Sequence, residues 1–225
     1  MRATAPRRVE PELLDSLPED HPDALHNRRD LLLLNRIMGN FRWFRHHVAA
    51  RFRPGDFGLE IGAGDGLLGA FLHRKRVLPA GCRIDGLDLG TGRPAEWPAG
   101  WTWHREDLLT FAGYGEYSII FGNLIFHQFE DEQLAELGAR LRSAARVIAA
   151  CEPCRSPVHL QQFRLLRPFG LNAVSRHDGE ISIRAGFRDD ELPRLLGLDP
   201  ESWLIRRRAT RLGAYRMLAV KKTPA

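Results

Sequence analysis

The first 51 residues are dominated by a helical pattern of apolar positions. Residues 1–23 hold several prolines among charged residues, which predicts an irregular arm. From residue 23 to residue 51, apolar side chains recur at spacings of three to seven, as on one face of a helix. These apolar positions are Leu25, Leu32, Ile37, Phe41, Phe44 and Val48. Gly39-Asn40 interrupts the pattern, so we predict two helices.

From residue 57 onward, short apolar runs alternate with amphipathic stretches. The runs predict strands over 57–61, 83–87, 101–104, 117–121 and 146–150, and the stretches predict helices over 67–76 and 130–143. Residues 153–186 lack a clear period and are predicted to be irregular or partly helical. A helix over 189–196 and a hairpin of strands over 202–208 and 215–220 complete the pattern.

This alternation predicts an α/β fold with a parallel sheet that is covered by helices on both faces. The sheet should have about seven strands, and the two successive strands at the end predict one antiparallel strand near the C-terminus. Residues 1–52 are expected to form an arm and a helical cover. Residues 53–225 are expected to form the α/β domain, in which 152–188 shapes the substrate pocket.

Composition and charge narrow the setting but not the partner. The chain has 225 residues, of which 44% are hydrophobic and 27% charged, as in ordinary globular proteins. Its three cysteines do not form a disulfide framework, and it has neither a signal-peptide pattern nor a span-length apolar run. We therefore expect a cytoplasmic protein. The net charge of +5 leaves an acidic small molecule, a membrane surface and RNA open as partners.

A glycine-rich turn joins the predicted strand 57–61 to the helix that follows it. Gly62 and Gly64 allow a tight turn and close approach of a ligand to the backbone. Asp88 ends the next strand, where an acidic residue can hold both hydroxyls of a ribose. Leu67 stands where the dinucleotide fingerprint requires its third glycine. Glu60 and Asp65 add negative charge, which suits a sulfonium and an amino acid better than a diphosphate.

Four segments in order resemble the motifs of class I methyltransferases, which use S-adenosylmethionine. Residues 60–66, Glu-Ile-Gly-Ala-Gly-Asp-Gly, resemble the first motif, and Asp88 resembles the ribose-binding acid. Residues 106–108, Glu-Asp-Leu, resemble the segment that holds the adenine, with Asp107 reaching its amine. Residues 121–129, Phe-Gly-Asn-Leu-Ile-Phe-His-Gln-Phe, resemble the fourth-strand motif of the small-molecule branch. The resemblance covers residues 55–150 well and residues 187–221 more loosely.

The resemblance implies a Rossmann-like doubly wound fold, S-adenosylmethionine as cofactor, S-adenosylhomocysteine (SAH) as product and no metal site. The residues that it assigns to the cofactor are Glu60, Gly62, Ala63, Gly64, Asp88, Leu89, Asp107, Leu108 and Asn123. Two cysteines, Cys151 and Cys154, are interpreted as structural. Glu152-Pro153 resembles the Glu-Pro that often follows the fifth strand in small-molecule methyltransferases.

His127 is the candidate general base, because it follows the fourth strand at the ligand-binding edge of the sheet. A packing or helix-capping role for this histidine is the open alternative. Methyltransferases that act on base amines usually carry two prolines after the Asn or Asp at this place. In this chain Leu124 and Ile125 follow Asn123 instead. This departure argues against a nucleic-acid acceptor. We therefore expect O-methylation of an aromatic, quinone or lipid-like metabolite; an RNA methyltransferase and a non-catalytic cofactor-binding domain remain the alternatives.

Overall fold

The structure is a computed structural model that describes residues 6–18, 20–90, 92–166 and 170–223. Parts of four predicted features extend beyond these ranges. Outside the described residues lie residues 1–5 and 19 of the predicted arm, residue 91 of the loop after the second strand, residues 167–169 of the 152–188 segment and residues 224–225 of the predicted α/β domain.

The described residues form an α/β fold. The helices are α1 (Pro22–Met38), α2 (Asn40–His47), α3 (Leu67–Arg74), α4 (Asp131–Ala144), α5 (Pro157–Leu165), α6 (Ala173–Ala185) and α7 (Glu191–Leu195). The strands are β1 (Phe57–Ile61), β2 (Arg83–Leu87), β3 (Trp103–His104), β4 (Ile119–Asn123), β5 (Val147–Pro153), β6 (Trp203–Ala209) and β7 (Ala214–Lys221). Short 3₁₀ turns occur between them, one of which is Phe126–Gln128.

The strands pair into a seven-stranded sheet in the order β3-β2-β1-β4-β5-β7-β6. Strands β1 to β5 are parallel, whereas β7 runs antiparallel to both β5 and β6. After β1 the chain forms β2 and β3 on one side of β1, and it then returns to form β4 on the other side of β1. This leaves a topological switch point between the carboxyl ends of β1 and β4, where open α/β sheets bind ligands. The predicted Rossmann-like sheet with one antiparallel strand is confirmed.

Helices cover both faces of the sheet, each over its own apolar cluster. On one face, Leu134 and Leu137 of α4 pack with Leu192 of α7 against strand residues such as Ile120. On the other face, helices α2 and α3 pack against the sheet through the buried residues Phe44, Val48, Leu68 and Leu72. Among the described residues, none of the helices combines the length and apolar character that a membrane span requires.

The segment predicted to be irregular or partly helical, 153–186, contains two regular helices, α5 and α6. The spacing of apolar residues did not predict helix α6, because much of its buried face is polar. Ser175 and Asp178 are buried there and pair with the N-terminal residues. Its start is fixed by Asn172, whose side chain caps the amide of Ser175 at 2.8 Å.

The N-terminal residues form a cover that depends on α6. In the interface of α1 with α6, the Ser175 hydroxyl donates to the Asp30 carboxylate at 2.6 Å. Upstream of α1, residues 6–18, which we call the arm, lie along α6. There the amides of Leu13 and Leu14 donate to the Asp178 carboxylate at 2.8 and 3.0 Å.

Candidate cofactor and acceptor site

The glycine turn after β1 adopts a backbone that requires glycine. Gly62 and Gly64 have φ angles of 59° and 53°, in the left-handed region that side chains disfavour. A Cβ atom on Gly62 would overlap the side chain of Ile125, whereas one on Gly64 would meet none of the described residues within 4 Å. The turn is therefore packed on its β4 side at Gly62 and open to a ligand at Gly64.

Asp88 ties this turn to the loop that follows β2. Its Oδ2 accepts a hydrogen bond from the Gly64 amide at 2.8 Å, and its Oδ1 accepts one from the Gly90 amide at 3.0 Å. A carboxylate held by two backbone amides has a fixed orientation. It therefore stands beside the open face of the glycine turn.

Glu60 is buried at the base of the turn, on the face covered by α3. Its carboxyl group approaches Gly69 near the start of α3, and its Oε2 has no hydrogen-bond partner among the described residues. Burial raises the pKa of Glu60 to about 8, and the negative charge of Asp88 adds to this shift. Glu60 therefore favours the neutral form at pH 7. Ala63 is also buried, and its amide donates to the Leu87 carbonyl at 3.2 Å.

The residues predicted to hold the adenine and ribose follow β2 and β3. The Asp107 Oδ1 accepts the Leu109 amide at 2.8 Å, so this carboxylate caps the turn after β3. The side chain of Leu108 belongs to the hydrophobic core, and its backbone carbonyl accepts the Tyr114 hydroxyl at 2.7 Å. Leu89 is 63% exposed at the loop after β2 and offers an apolar surface.

Asn123 ends β4 within a cluster of three asparagines, Asn35, Asn40 and Asn123, which we call the amide cluster. Nδ2 of Asn123 and Nδ2 of Asn40 both donate to Oδ1 of Asn35 at 3.0 Å. Nδ2 of Asn40 also donates to Oδ1 of Asn123 at 3.1 Å. The helical cover therefore contacts the sheet edge directly at β4. It also contacts the glycine turn, since Arg28 of α1 lies 3.6 Å from Asp65.

His127 lies in the 3₁₀ turn after β4 and is buried between two carboxylates. Nδ1 of its ring lies 2.7 Å from Glu152 Oε2, and Nε2 lies 3.2 Å from Glu12 Oε1. Glu152 also accepts the backbone amides of Ile125, Phe126 and His127 at 3.0 to 3.3 Å. The turn that carries His127 is thus fastened to the end of β5, where Glu152 is fully buried.

The two carboxylates favour the charged form of His127. Burial alone would lower the pKa of this histidine, but the hydrogen bonds to Glu12 and Glu152 outweigh burial and raise the pKa to about 9. Burial would likewise raise the pKa of Glu12, yet the hydrogen bond from His127 lowers it. With the arm in place, both ring nitrogens of His127 therefore donate, and neither can accept a proton.

A cavity of about 250 Å³ opens beside His127, between the arm and α6. Its lining includes Glu12, Asp15, His127, Gln128 and Ser182. Burial, followed by the charges of Glu12, Asp178 and Asp88, raises the pKa of Asp15 to about 6. The negative charge of Asp88 thus acts on Asp15 and connects the arm electrostatically with the cofactor edge.

The structure brings the predicted site residues together at the carboxyl edge of the sheet, around the switch point between β1 and β4. The predicted Cys151 and Cys154 are buried free cysteines, as interpreted from the sequence. Sequence reasoning missed the cover residues Glu12, Asn35 and Asn40. No local pattern distinguishes Glu12, whereas Asn40 belongs to the predicted helix break and Asn35 precedes it in the same helical segment.

The described residues fit S-adenosylmethionine on structural grounds. The turn is open at Gly64, carboxylates follow β2 and β3 at Asp88 and Asp107, and an amide follows β4 at Asn123. These polar groups can hold the ribose, the adenine amine and the amino acid end of the cofactor, as the resemblance implies. Of the two acids expected to add negative charge here, Glu60 is neutral at pH 7 because burial raises its pKa to about 8, so only Asp65 would disfavour a diphosphate.

Comparison with solved structures finds the same fold in methyltransferases. The plantazolicin methyltransferase BpumL in complex with SAH matches with a TM-score of 0.67 and 11% identity, covering 93% of each chain. The pyocyanin biosynthetic protein PhzM matches with a TM-score of 0.62 and 18% identity over 91% of this chain and 60% of its own. The small RNA methyltransferase HEN1 matches with a TM-score of 0.60 and 12% identity, over 84% of this chain and 25% of its own.

No protein-family model matches the chain, and no curated protein matches it in sequence. At 11% to 18% identity, the structural matches establish the fold and leave the activity to be argued from the site. The chain has the Rossmann-like fold of class I methyltransferases.

Proposed function

We propose that this chain is an S-adenosylmethionine-dependent methyltransferase that acts on a small-molecule acceptor. The observation that supports this proposal most strongly is the glycine turn at the switch point of a methyltransferase fold. The turn is open at Gly64, whose amide donates to the Asp88 carboxylate at 2.8 Å. In this proposal the cofactor is held by Glu60, Gly62, Ala63, Gly64, Asp88, Leu89, Asp107, Leu108 and Asn123.

The chain's contribution to the reaction is to bind and orient. When bound, the cofactor supplies a methyl group that is already activated as part of a sulfonium. Correct alignment of two reactants can lower a barrier by roughly 7–11 kcal/mol, so a rigid edge with fixed Asp88 and Asn123 is the main requirement. The arm and α1 add exclusion of water, because they cover this edge from the side away from the sheet.

We place the acceptor in the cavity beside His127. The cavity, about 250 Å³, suits a small molecule, and it lies beside the turn that follows β4. The basic run Arg206–Arg208 is on β6, an edge strand separated from β1 by three other strands. Nucleic acid held on that run would be remote from the glycine turn, which favours a small molecule over RNA.

For the acceptor chemistry we propose O-methylation of an aromatic, quinone or lipid-like metabolite, with His127 as the base. His127 can accept a proton at Nε2 only after Glu12 has left it. An acceptor hydroxyl that takes the place of Glu12 would remove one of the two carboxylates that raise the histidine pKa. Glu152 would still hold Nδ1, so the neutral form of the ring would present its Nε2 lone pair to the hydroxyl.

An amine acceptor is the second candidate, and the charge of the arm favours it. The cavity lining includes the carboxylates of Glu10, Glu12 and Asp15, which attract a cation. Methylation of an amine also requires loss of a proton, which the same histidine could take. The two candidates differ in acceptor class and share one site.

Calorimetric titration with S-adenosylmethionine, SAH and NADH tests the proposal. We expect micromolar binding of the two sulfur ligands and none of NADH. In Asp88→Ala, binding of both sulfur ligands should weaken at least about tenfold, because the ribose loses its carboxylate. Asp199→Ala is the matched control: Asp199 also accepts a backbone amide, from Ser202 at 2.7 Å, but in a turn before β6.

If the wild-type protein binds neither sulfur ligand, the proposed function is wrong. If it binds them, phenols, quinones and amines can be screened as acceptors by the gain of one methyl group in mass. Methylation of amines alone would reject the O-methylation proposal and keep the methyltransferase.

A further inference from the structure

The amide cluster has one backbone anchor that fixes the orientation of all three of its side chains. Nδ2 of Asn35 donates to the Leu31 carbonyl at 3.0 Å, and a carbonyl can only accept. Oδ1 of Asn35 therefore faces the other two asparagines and accepts from both. Asn123 must present its nitrogen to Asn35 and its oxygen to Asn40.

With respect to the part of the chain that the structure describes, this orientation leaves one donor and one acceptor position of Asn123 unused. One of its two Nδ2 protons is donated to Asn35, and one of the two acceptor positions on Oδ1 is taken by Asn40. Asn123 is partly exposed, whereas Asn35 and Asn40 are buried. The two buried residues hold the amide, and the partly exposed one can present a donor and an acceptor to a ligand.

The amide cluster lowers the stability of the fold, so a purely structural role does not explain it. Oδ1 of Asn40 is buried with no hydrogen-bond partner among the described residues. A buried unsatisfied oxygen destabilises a fold, and an apolar side chain at the α1–α2 junction would avoid it. A role in binding gives a reason to keep three amides at this place.

The sheet order locates the part of the cofactor that would meet Asn123. Asp107 follows β3 and Asp88 follows β2, so the adenine and ribose lie on that side of β1. The glycine turn follows β1, and Asn123 follows Gly122, which pairs with Ile61. A cofactor that extends from β3 across β1 reaches β4 with its amino acid end.

We propose that the amide cluster recognises the amino acid end of the cofactor, with Asn123 in contact and Asn35 and Asn40 as positioning residues. A neutral amide with one free donor and one free acceptor position matches a zwitterion, which offers both an ammonium and a carboxylate. This inference rests on the proposed function and assigns to it two residues of the helical cover.

The test compares two ligands that differ only at that end. SAH carries the amino acid end, and 5′-methylthioadenosine keeps the adenosine and sulfur without it. Calorimetry on wild-type protein should show a preference for SAH. In Asn123→Ala and in Asn35→Leu, affinity for SAH should fall about tenfold or more while affinity for methylthioadenosine stays within about twofold.

A further variant separates positioning from general damage. Asn172→Ala removes a helix cap distant from the amide cluster and should lower the melting temperature without changing the ratio of the two affinities.

An unchanged affinity ratio in Asn123→Ala, or an equal loss for both ligands, would overturn the inference and leave the proposed function intact. Wild-type protein that binds neither ligand would overturn both. The ratio compares two ligands on one protein, so a partly unfolded variant does not change it.

Discussion

Nε2 of His127 lies 3.2 Å from a carboxylate oxygen of Glu12, a residue 115 positions earlier in the chain. The contact joins the arm to the turn after β4, where the candidate base lies. Glu12 also accepts the Ser182 hydroxyl of α6 at 2.6 Å, so one side chain links the arm, the turn after β4 and α6. The proton state of His127 and the position of the arm are therefore coupled.

This coupling predicts how stability depends on pH. The folded-state pKa of His127 is raised from 6.5 to about 9, so its contribution to stability is complete below pH 6.5 and is lost as the pH rises through about 9. The free energy of unfolding of wild-type protein should therefore fall over this range relative to His127→Gln. Linkage sets the relative fall at no more than about 3 kcal/mol. Urea unfolding at a series of pH values measures it.

The His127→Gln protein also serves as the control for other groups that titrate in the same window, because it retains them. A difference in stability between the two proteins that stays constant from pH 6 to pH 10 would contradict the predicted charge on His127.

Glu60→Gln should make the protein less sensitive to alkaline pH. The pKa of Glu60 is raised from 4.5 to about 8, so its ionisation lowers the stability of the folded state as the pH rises between these values. The amide cannot ionise, so the stability of Glu60→Gln relative to wild type should increase from pH 5 to pH 8 and then level off. Thermal unfolding across this range tests the prediction, and parallel curves would refute it.

Gly64→Ala should harm cofactor binding more than stability. An alanine at φ 53° costs about 1 kcal/mol of backbone strain, but its Cβ has open space within the protein and would stand on the ligand side of the turn. SAH affinity should fall on the order of tenfold or more, as measured by calorimetry.

Gly55→Ala provides the matched control, because Gly55 has a φ of 82°, equally open surroundings and a position before β1, at the opposite edge of the sheet. It should lose similar stability and retain SAH affinity. Equal binding in the two variants would mean that Gly64 does not face the ligand.

Arg7→Ala should loosen the arm. The Arg7 side chain is 8% exposed and donates to the carbonyls of Ala185, His127 and Phe129. Without it, the amides of Leu13 and Leu14 should exchange with deuterium about tenfold faster, as measured by mass spectrometry. The adjacent Arg8, whose side chain is 76% exposed and pairs with Glu10, gives the control Arg8→Ala. Unchanged exchange in Arg7→Ala would show that other contacts hold the arm.

The sheet and its ligand-binding edge could be predicted from the sequence because local patterns specify them. The run 57–61 is mostly apolar and is followed by glycines, and the observed strand β1 has these bounds. The third strand was predicted over 101–104, but only Trp103–His104 pairs with β2. Trp101 is instead buried beside Trp97, so its apolar character reflects packing and not strand pairing.

The cover was predicted only in outline, because its contacts connect distant polar residues. Gly39-Asn40 marked the break between α1 and α2, which the structure has at Gly39. No periodic pattern in the sequence predicts that Asp178 accepts a hydrogen bond from the amide of Leu13, 165 residues away. His127 could be placed after β4 from its motif, yet the carboxylates on both sides of its ring belong to residues 12 and 152. Its role as a base stays a prediction.

The dependence of the arm on α6 also sets an order for the synthesis of this protein. Residues 6–18 are synthesised before the sheet, but Asp178, Ser182 and the Ala185 carbonyl, to which they bond, are added about 160 or more residues later. During that interval β1, β2 and β4 can already pair, since parallel neighbours follow one another closely in the chain. The strands that carry the glycine turn, Asp88 and Asn123 can therefore assemble first. Residues 6–18 reach their final place only after α6 has been synthesised.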